Sequence, residues 1–170
     1  VAYVMMAFRI AWFKVYHPLA FYAAYFSIRA KAFDLRIMTG DLKTQMTEFN
    51  RIKALDRGAS PKDKDLMSAL EVSMEMYQRG YRFVNVDIQH SEARRFSIKD
   101  GALLPPFLAI DSLGETVADA IVAEREERPF TSLKDLQRRC KVSNTIIDLM
   151  KELKCCGELP EDEQMSLFGA

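Results

Sequence analysis

The sequence has 170 residues, 49% of them hydrophobic and 28% charged, which is enough to bury a core in one or two domains. Its 24 basic and 24 acidic residues cancel, but unevenly: residues 1–57 carry nine basic and four acidic groups, whereas 158–170 carry only Glu158, Glu161, Asp162 and Glu163. That asymmetry points to a polyanion near the head and a different partner at the tail.

The chain opens on Val1 rather than Met, as a piece of a longer polypeptide would. Its apolar head is interrupted by Arg9, Lys14 and His17-Pro18, so no uncharged run reaches the roughly 18 residues that a membrane span needs. Tyr3, Met6, Ala7, Ile10 and Phe13 recur at helical spacing, and Pro18 ends that helix before a second one, "LAFYAAYFSI". Helices this apolar predict burial on nearly every side, so residues 1–30 read as half of a larger core. His17 is expected to be a buried, hydrogen-bonded histidine. For Arg9 and Lys14, a salt bridge to that other half is favoured over a nucleotide or template phosphate.

Asp41 is placed to cap a helix running to about Arg57, with Leu42, Met46, Phe49 and Ile52 on one face and Gly58 as the stop. Ser60-Pro61 then predicts a cap followed by proline at the first helical position, with Leu66, Leu70, Met74 and Tyr77 inward and Gly80 as the end. The period changes at "YRFVNVDI". In "RFSIKDGALL", Asp100-Gly101 lies between two apolar runs, which is a type I′ hairpin signal. A sheet of two or three strands is expected. Helical patterns resume near Pro106–Ile110, Glu115–Arg128, Ser132–Arg139 and Ser143–Lys154, so the fold class is mainly α with a small β-hairpin sheet (α+β). Cys140, Cys155 and Cys156 suit neither a disulfide framework nor a zinc site and read as reduced thiols.

The turn "FLAIDSLGETVADAI" matches a helix-hairpin-helix. Ile110, Leu113, Val117, Ala118 and Ile121 supply the apolar frame around Gly114. A glycine-containing hairpin lets the main chain approach a phosphate, and the following helix aims its free N–H groups and dipole at it. The glycine usual two residues before Gly114 is replaced by Ser112, where a positive φ would be strained. The helix after the turn is net acidic. On the residues alone, DNA contact and a structural helical hairpin both remain open. No catalytic set, P-loop or aspartate cluster appears, so no catalytic or metal-binding residue is assigned.

The order of these parts resembles a known family. "AYVMMAFRIAWFKVYHPLAFYAAYFSIRA" resembles the end of the fingers domain in bacterial C-family replicative DNA polymerases, the DNA polymerase III alpha subunits. "LEVSMEMYQRGYRFVNVDIQHSEARRFSIKDGALLPPFLAIDSLGETVADAIVAERE" is similar to the segment that follows, and "FTSLKDLQRRCKVSNTIIDLMKELKCCGELP" to the region closing that module. The "QMSLF" end resembles the Gram-positive PolC type. This resemblance implies a C-terminal segment with four parts: fingers end (1–57), connecting helix and β-hairpin (58–104), helix-hairpin-helix module (105–157) and tail (158–170). It implies contact with duplex DNA through Leu113, Gly114, Glu115, Thr116 and Val117.

The same resemblance implies contact with a sliding clamp through Gln164, Met165, Leu167 and Phe168. Glutamine offers both donor and acceptor, and the two apolar side chains can fill a pocket. The acidic lead-in is expected to keep this tail extended and away from DNA. The parent's two-metal nucleotide addition, with Mg2+ and dNTPs, lies on palm aspartates upstream. This segment alone would therefore be inactive and hold no cofactor of its own. Its partners would be primer–template DNA, the clamp and the remainder of the polymerase chain, in the cytoplasm and without membrane contact. The competing readings are a DNA-binding adaptor outside any polymerase and a structural helical interaction domain.

Overall fold

Side-chain caps set where several helices begin. Asp34, Asp41, Ser60, Ser132 and Ser143 each accept a hydrogen bond from the backbone N–H three residues on. A helix start leaves four N–H groups without intrahelical partners, and an oxygen at this position satisfies one of them. Ser60 and Asp63 complete a reciprocal capping box with Pro61 at the first helical position.

The computed structural model describes residues 1–162. Helices α1 (Ala2–Tyr16), α2 (Pro18–Ile28), α3 (Leu35–Met38), α4 (Leu42–Ala54) and α5 (Pro61–Gln78) precede strands β1 (Ser97–Lys99) and β2 (Ala102–Leu104). Helices α6 (Glu115–Glu127), α7 (Leu133–Cys140) and α8 (Asn144–Glu152) follow. The fold is mainly helical with one small antiparallel sheet, in which Ile98 faces Leu103. Asp100 and Gly101 both have positive φ (51° and 77°), as a type I′ turn requires. No helix among the described residues is long and apolar enough to cross a membrane.

One hydrophobic cluster runs from Tyr22 to Cys156. At its centre, the Phe83 ring stands edge-on to Phe26 and to Phe33, both at 4.9 Å, and Phe96 packs 5.0 Å from Phe33. Helix α2 buries Tyr22, Ala23 and Phe26 in this cluster. Burial raises the Cys155 thiol to about 12 and the Cys140 thiol to about 11, so both stay protonated at neutral pH.

Helix α1 has no buried residue, and its Trp12 is 53% exposed, so the described residues do not supply the other half of the core that its apolar faces call for. Several other expectations are corrected. Lys14 finds its anion inside the chain, at Glu75 Oε2 of α5 (2.5 Å), and lies over the Phe21 ring. His17 is exposed rather than buried, its ring tilted against Trp12 and Phe13 at 5.5 and 5.8 Å. In α4 the buried residues are Gln45 and Ile52, while Met46 points outward. The polar residue wins because the α3 terminus needs donors: Gln45 Nε2 donates to Met38 O (3.1 Å), and Ser73 Oγ donates to Gln45 Oε1 (2.6 Å). Helix α5 buries Ser73 and Met76, while Met74 and Tyr77, expected inward, are half-buried.

"YRFVNVDI" is not a full strand. Phe83 alone bridges to Leu103, through Val84 N to Leu103 O and Leu103 N to Arg82 O, both 2.9 Å. Beyond it the backbone finds partners elsewhere, with Ile88 N donating to Cys155 O (3.2 Å) and Asn85 Nδ2 to Leu153 O (2.5 Å). The segment is thereby drawn off the sheet and under the end of α8.

Candidate nucleic-acid interface

A 3-10 turn at Phe107–Ala109 leads into the first hairpin. Ile110 and Leu113 are buried, and Leu113 N donates back to Ile110 O (3.2 Å), which closes the turn. Between them Ser112 takes a left-handed conformation, φ +63°. This is the position where the motif usually has glycine, and the strain expected of serine there is present. Gly114 begins α6 in extended conformation (φ −73°, ψ 155°) with no side-chain cap. Its carbonyl accepts from Val117 N and Ala118 N, so the N–H groups of Glu115 and Thr116 lie ahead of the helix's own bonding. A Cβ at Gly114 would meet no protein atom within 4 Å, so packing in this chain does not require glycine there.

The same geometry recurs between α7 and α8. Lys141 is left-handed (φ 54°, ψ 37°), Val142 is buried, and Ser143 starts α8 at φ −71°, ψ 156°. The Ser143 carbonyl accepts from Ile146 N and Ile147 N, both 3.1 Å, as Gly114 does from Val117 and Ala118. Below each turn the buried positions correspond, Ala118 and Ile121 in α6 with Ile147 and Met150 in α8. The two hairpins differ at the helix start, because the Ser143 side chain occupies one of its amides whereas Gly114 has nothing to offer. This second hairpin was not recognised in the sequence, because "CKVSN" contains no glycine. The signal that could have found it is Val142 before a serine cap, spaced as Leu113 is before Gly114.

The electrostatic settings also differ. Around the first hairpin, Arg94 donates to Glu115 Oε2 (2.8 Å) and chelates Asp119, and Lys31 reaches Glu115 Oε1 (3.1 Å). The Asp119 carboxyl is held low by its hydrogen bonds from Arg94. Asp111 is exposed in the turn and shares a cleft with Lys31, Asp34, Arg36 and Lys62. Around the second, the centre is Asp135, a carboxylate only 2% exposed in the first turn of α7. It accepts from Arg138 (2.9 Å), Arg128 (3.3 Å), Arg139 (3.3 Å) and the Thr131 N–H (3.4 Å). Burial works to raise its carboxyl, but these donors outweigh it and hold the group below the usual carboxylate range. Arg139 also donates to Glu124 and to Arg128 O and lies over the Phe130 ring, which ties α6 to α7.

Of the residues implicated in DNA contact, Gly114 and Thr116 are exposed at the α6 start, Glu115 and Val117 are half-buried, and Leu113 is buried as the anchor. Leu113 therefore acts by placing its neighbours' amides, and the Glu115 carboxylate is engaged by Lys31 and Arg94. Gln164, Met165, Leu167 and Phe168 lie outside the described residues. The acidic lead-in differs from expectation. Pro160 O and Glu161 O accept from Leu133 N (2.9 Å) and Lys134 N (3.2 Å), Glu161 pairs with Lys151 (2.6 Å), and Asp162 pairs with Lys134. The chain is thus docked on the start of α7, whose unfilled amides need acceptors, rather than held off by its charge.

Residues 80–164 match a family model described as a helix-hairpin-helix motif. Over 168 residues, 99% of the chain, the sequence is 46% identical to the protein named "DNA polymerase III PolC-type" of Caldanaerobacter subterraneus subsp. tengcongensis. It is 48% identical to the protein of that name from Streptococcus suis and 45% to that from Streptococcus pyogenes serotype M12, each over 98% of the chain. The chain spans 12% of the length of each of these relatives.

Because Ser112 is left-handed, Ser112→Gly is expected to stabilise the protein by about 0.5–1 kcal/mol in denaturant titration. Asp135→Asn should cost about 3 kcal/mol at neutral pH, since it takes one of two carboxylates from the buried Arg139 guanidinium and leaves a neutral amide in an interior arranged for a carboxylate. Asp135 has a folded pKa below its unfolded value. The stability it adds is therefore present above about pH 4 and disappears as pH falls through the folded pKa, so the parent and Asp135→Asn curves should converge in acid.

Proposed function

Because the chain belongs to the helix-hairpin-helix family, we propose that it is the part of a PolC-type DNA polymerase III that grips duplex DNA and tethers the enzyme to a sliding clamp. The observation carrying the DNA reading is the uncapped start of α6 at Gly114, where the Glu115 and Thr116 amides stand open beside an exposed glycine. A phosphate oxygen can accept from such amides and gains the helix dipole as well. Contact of this kind reads no base edge, so binding is independent of sequence and positions the duplex without specifying it. The second hairpin offers α8 in the same pose, so two points along a phosphate backbone can be held by one rigid unit.

By this reading, residues 1–57 end the fingers domain, 58–104 connect it to the DNA-gripping module at 105–157, and 158–170 form the clamp tail. Template-directed nucleotide addition with Mg2+ and dNTPs belongs to the remainder of the polymerase chain, and this segment alone is inactive. The exposed apolar faces of α1 fit a helix that continues into that remainder. The enzyme works in the cytoplasm. Gln164, Met165, Leu167 and Phe168 supply the clamp contact. Two buried apolar side chains contribute roughly 1.5–3 kcal/mol each, less the ordering of the tail. The tether alone is therefore weak and becomes effective once the clamp encircles the same DNA.

Gly114→Ala separates folding from binding, because the added methyl meets open space in the protein. It is expected to cost less than about 1 kcal/mol of stability yet to lower duplex affinity about tenfold, the loss of one charge-assisted hydrogen bond. Unchanged affinity in an anisotropy titration would remove the first hairpin from the DNA contact. For the tail, calorimetry against the bacterial clamp should show binding by the parent and loss of it in Leu167→Ala/Phe168→Ala. Equal binding by the variant would refute the tether.

A further inference from the structure

The two hairpins present similar backbones in different charge settings. At the first, Lys31 and Arg94 are taken up by Glu115 and Asp119, and the cleft beside Ser112 holds Arg36 and Lys62 against Asp34 and Asp111, so the charges around the open amides of α6 balance. At the second, the cations are arranged differently. The Arg139 side chain is 12% exposed and fully engaged with Glu124, Asp135 and a carbonyl. Arg138 and Arg128 each place one guanidinium nitrogen on Asp135 yet remain 71% and 58% exposed, which leaves further N–H donors facing solvent. Lys141 is exposed in the adjoining turn and makes no ion pair among the described residues. Glu127 is the acid on the same cleft. With Arg139 and Glu124 cancelling, Arg128, Arg138 and Lys141 exceed Asp135 and Glu127 by one charge.

Lys141 also holds a backbone conformation that suits glycine. It is the left-handed residue closing α7, where glycine is the common choice and an L-residue is strained. Its side chain reaches solvent and packs into no part of the core. The fold therefore gives no reason for a lysine at this position, whereas an anion beside the turn would.

We infer that Arg128, Arg138 and Lys141 form a basic ridge that holds the DNA phosphate backbone beside the second hairpin, with buried Asp135 as the positioning residue for the two arginines. This rests on the DNA-gripping function proposed above and places its main electrostatic contact on the α7–α8 side. A planar guanidinium anchored by one edge to a fixed carboxylate keeps its other edge pre-oriented for two phosphate oxygens. Asp135 supplies that anchor from the first turn of α7, so the arginines need not be ordered anew when DNA arrives.

The experiment uses the full-length polymerase on a primer–template duplex, with affinity measured from about 50 to 300 mM salt, where each phosphate contact contributes roughly 0.9 to the slope of log K against log salt. Arg128→Gln/Arg138→Gln/Lys141→Gly should lower that slope by about 3 and weaken binding more than tenfold at the low-salt end. Lys141→Gly alone should lower it by about 1 while increasing hydrogen-exchange protection across α7 and α8, a combination that a purely structural lysine would not produce. Should the arginine changes abolish that protection, the single lysine variant still decides. Parent slope and affinity in Lys141→Gly with protection retained overturn the ridge. If Gly114→Ala weakens binding while the ridge variants do not, the ridge is wrong and the hairpin reading stands. If none of them does, both are wrong.

Discussion

The structure depends on how two buried aliphatic residues, Leu113 and Val142, pin their turns to the core. Each follows a residue in left-handed conformation and precedes one that opens a helix, so burying the aliphatic group fixes the direction in which that helix starts. Amides at a helix start have no partner within the helix and must find one outside it. Once Leu113 is seated, the open amides of Glu115 and Thr116 can only face outward. The strain at Ser112 and Lys141 is sustained by this burial, at roughly 1.5–3 kcal/mol for a fully buried side chain against about 1 kcal/mol for the backbone.

Charge then gives the two similar turns different properties. The first has no side-chain cap at its helix start, and its nearest cations, Lys31 and Arg94, are already taken by Glu115 and Asp119. The second has one amide occupied by Ser143 but stands beside arginines organised on a buried carboxylate. Asp135 is tolerated in the interior because every direction of approach brings a donor: three guanidinium groups and a backbone N–H. It also joins the end of α6 to α7, which keeps the two hairpins in fixed relation. The tail enters the same arrangement, with Pro160 and Glu161 carbonyls satisfying the start of α7.

Much of this was legible in the sequence where a local rule decides the outcome. Ser60-Pro61 followed by Asp63 specifies a capping box, and Asp100-Gly101 specifies a type I′ turn, because each depends on atoms within four residues. The first hairpin was legible through Gly114 and its apolar frame. The second was not, because a serine cap and a lysine in the turn hide the same backbone under different side chains. Charge counting along α6 missed Arg94 and Lys31, which approach Glu115 from distant parts of the chain. On the inward face of α4 only Met46 departs from expectation, because hydropathy favours it whereas the α3 carbonyl favours Gln45. His17 was misjudged because proximity to aromatic residues in sequence does not amount to burial.

The sequence by itself determined the helix starts and stops, the hairpin turn, the mainly helical class and the family to which the chain belongs. These follow from short-range hydrogen bonding and from the spacing of apolar residues, which any reading of neighbours can recover. Only the tertiary structure decided which carbonyls captured residues 81–88, which cation met which carboxylate and which turn was left with positive charge to spare. Those outcomes depend on side chains tens of residues apart arriving at one place, where burial strips away water and leaves each polar group dependent on the partner it finds.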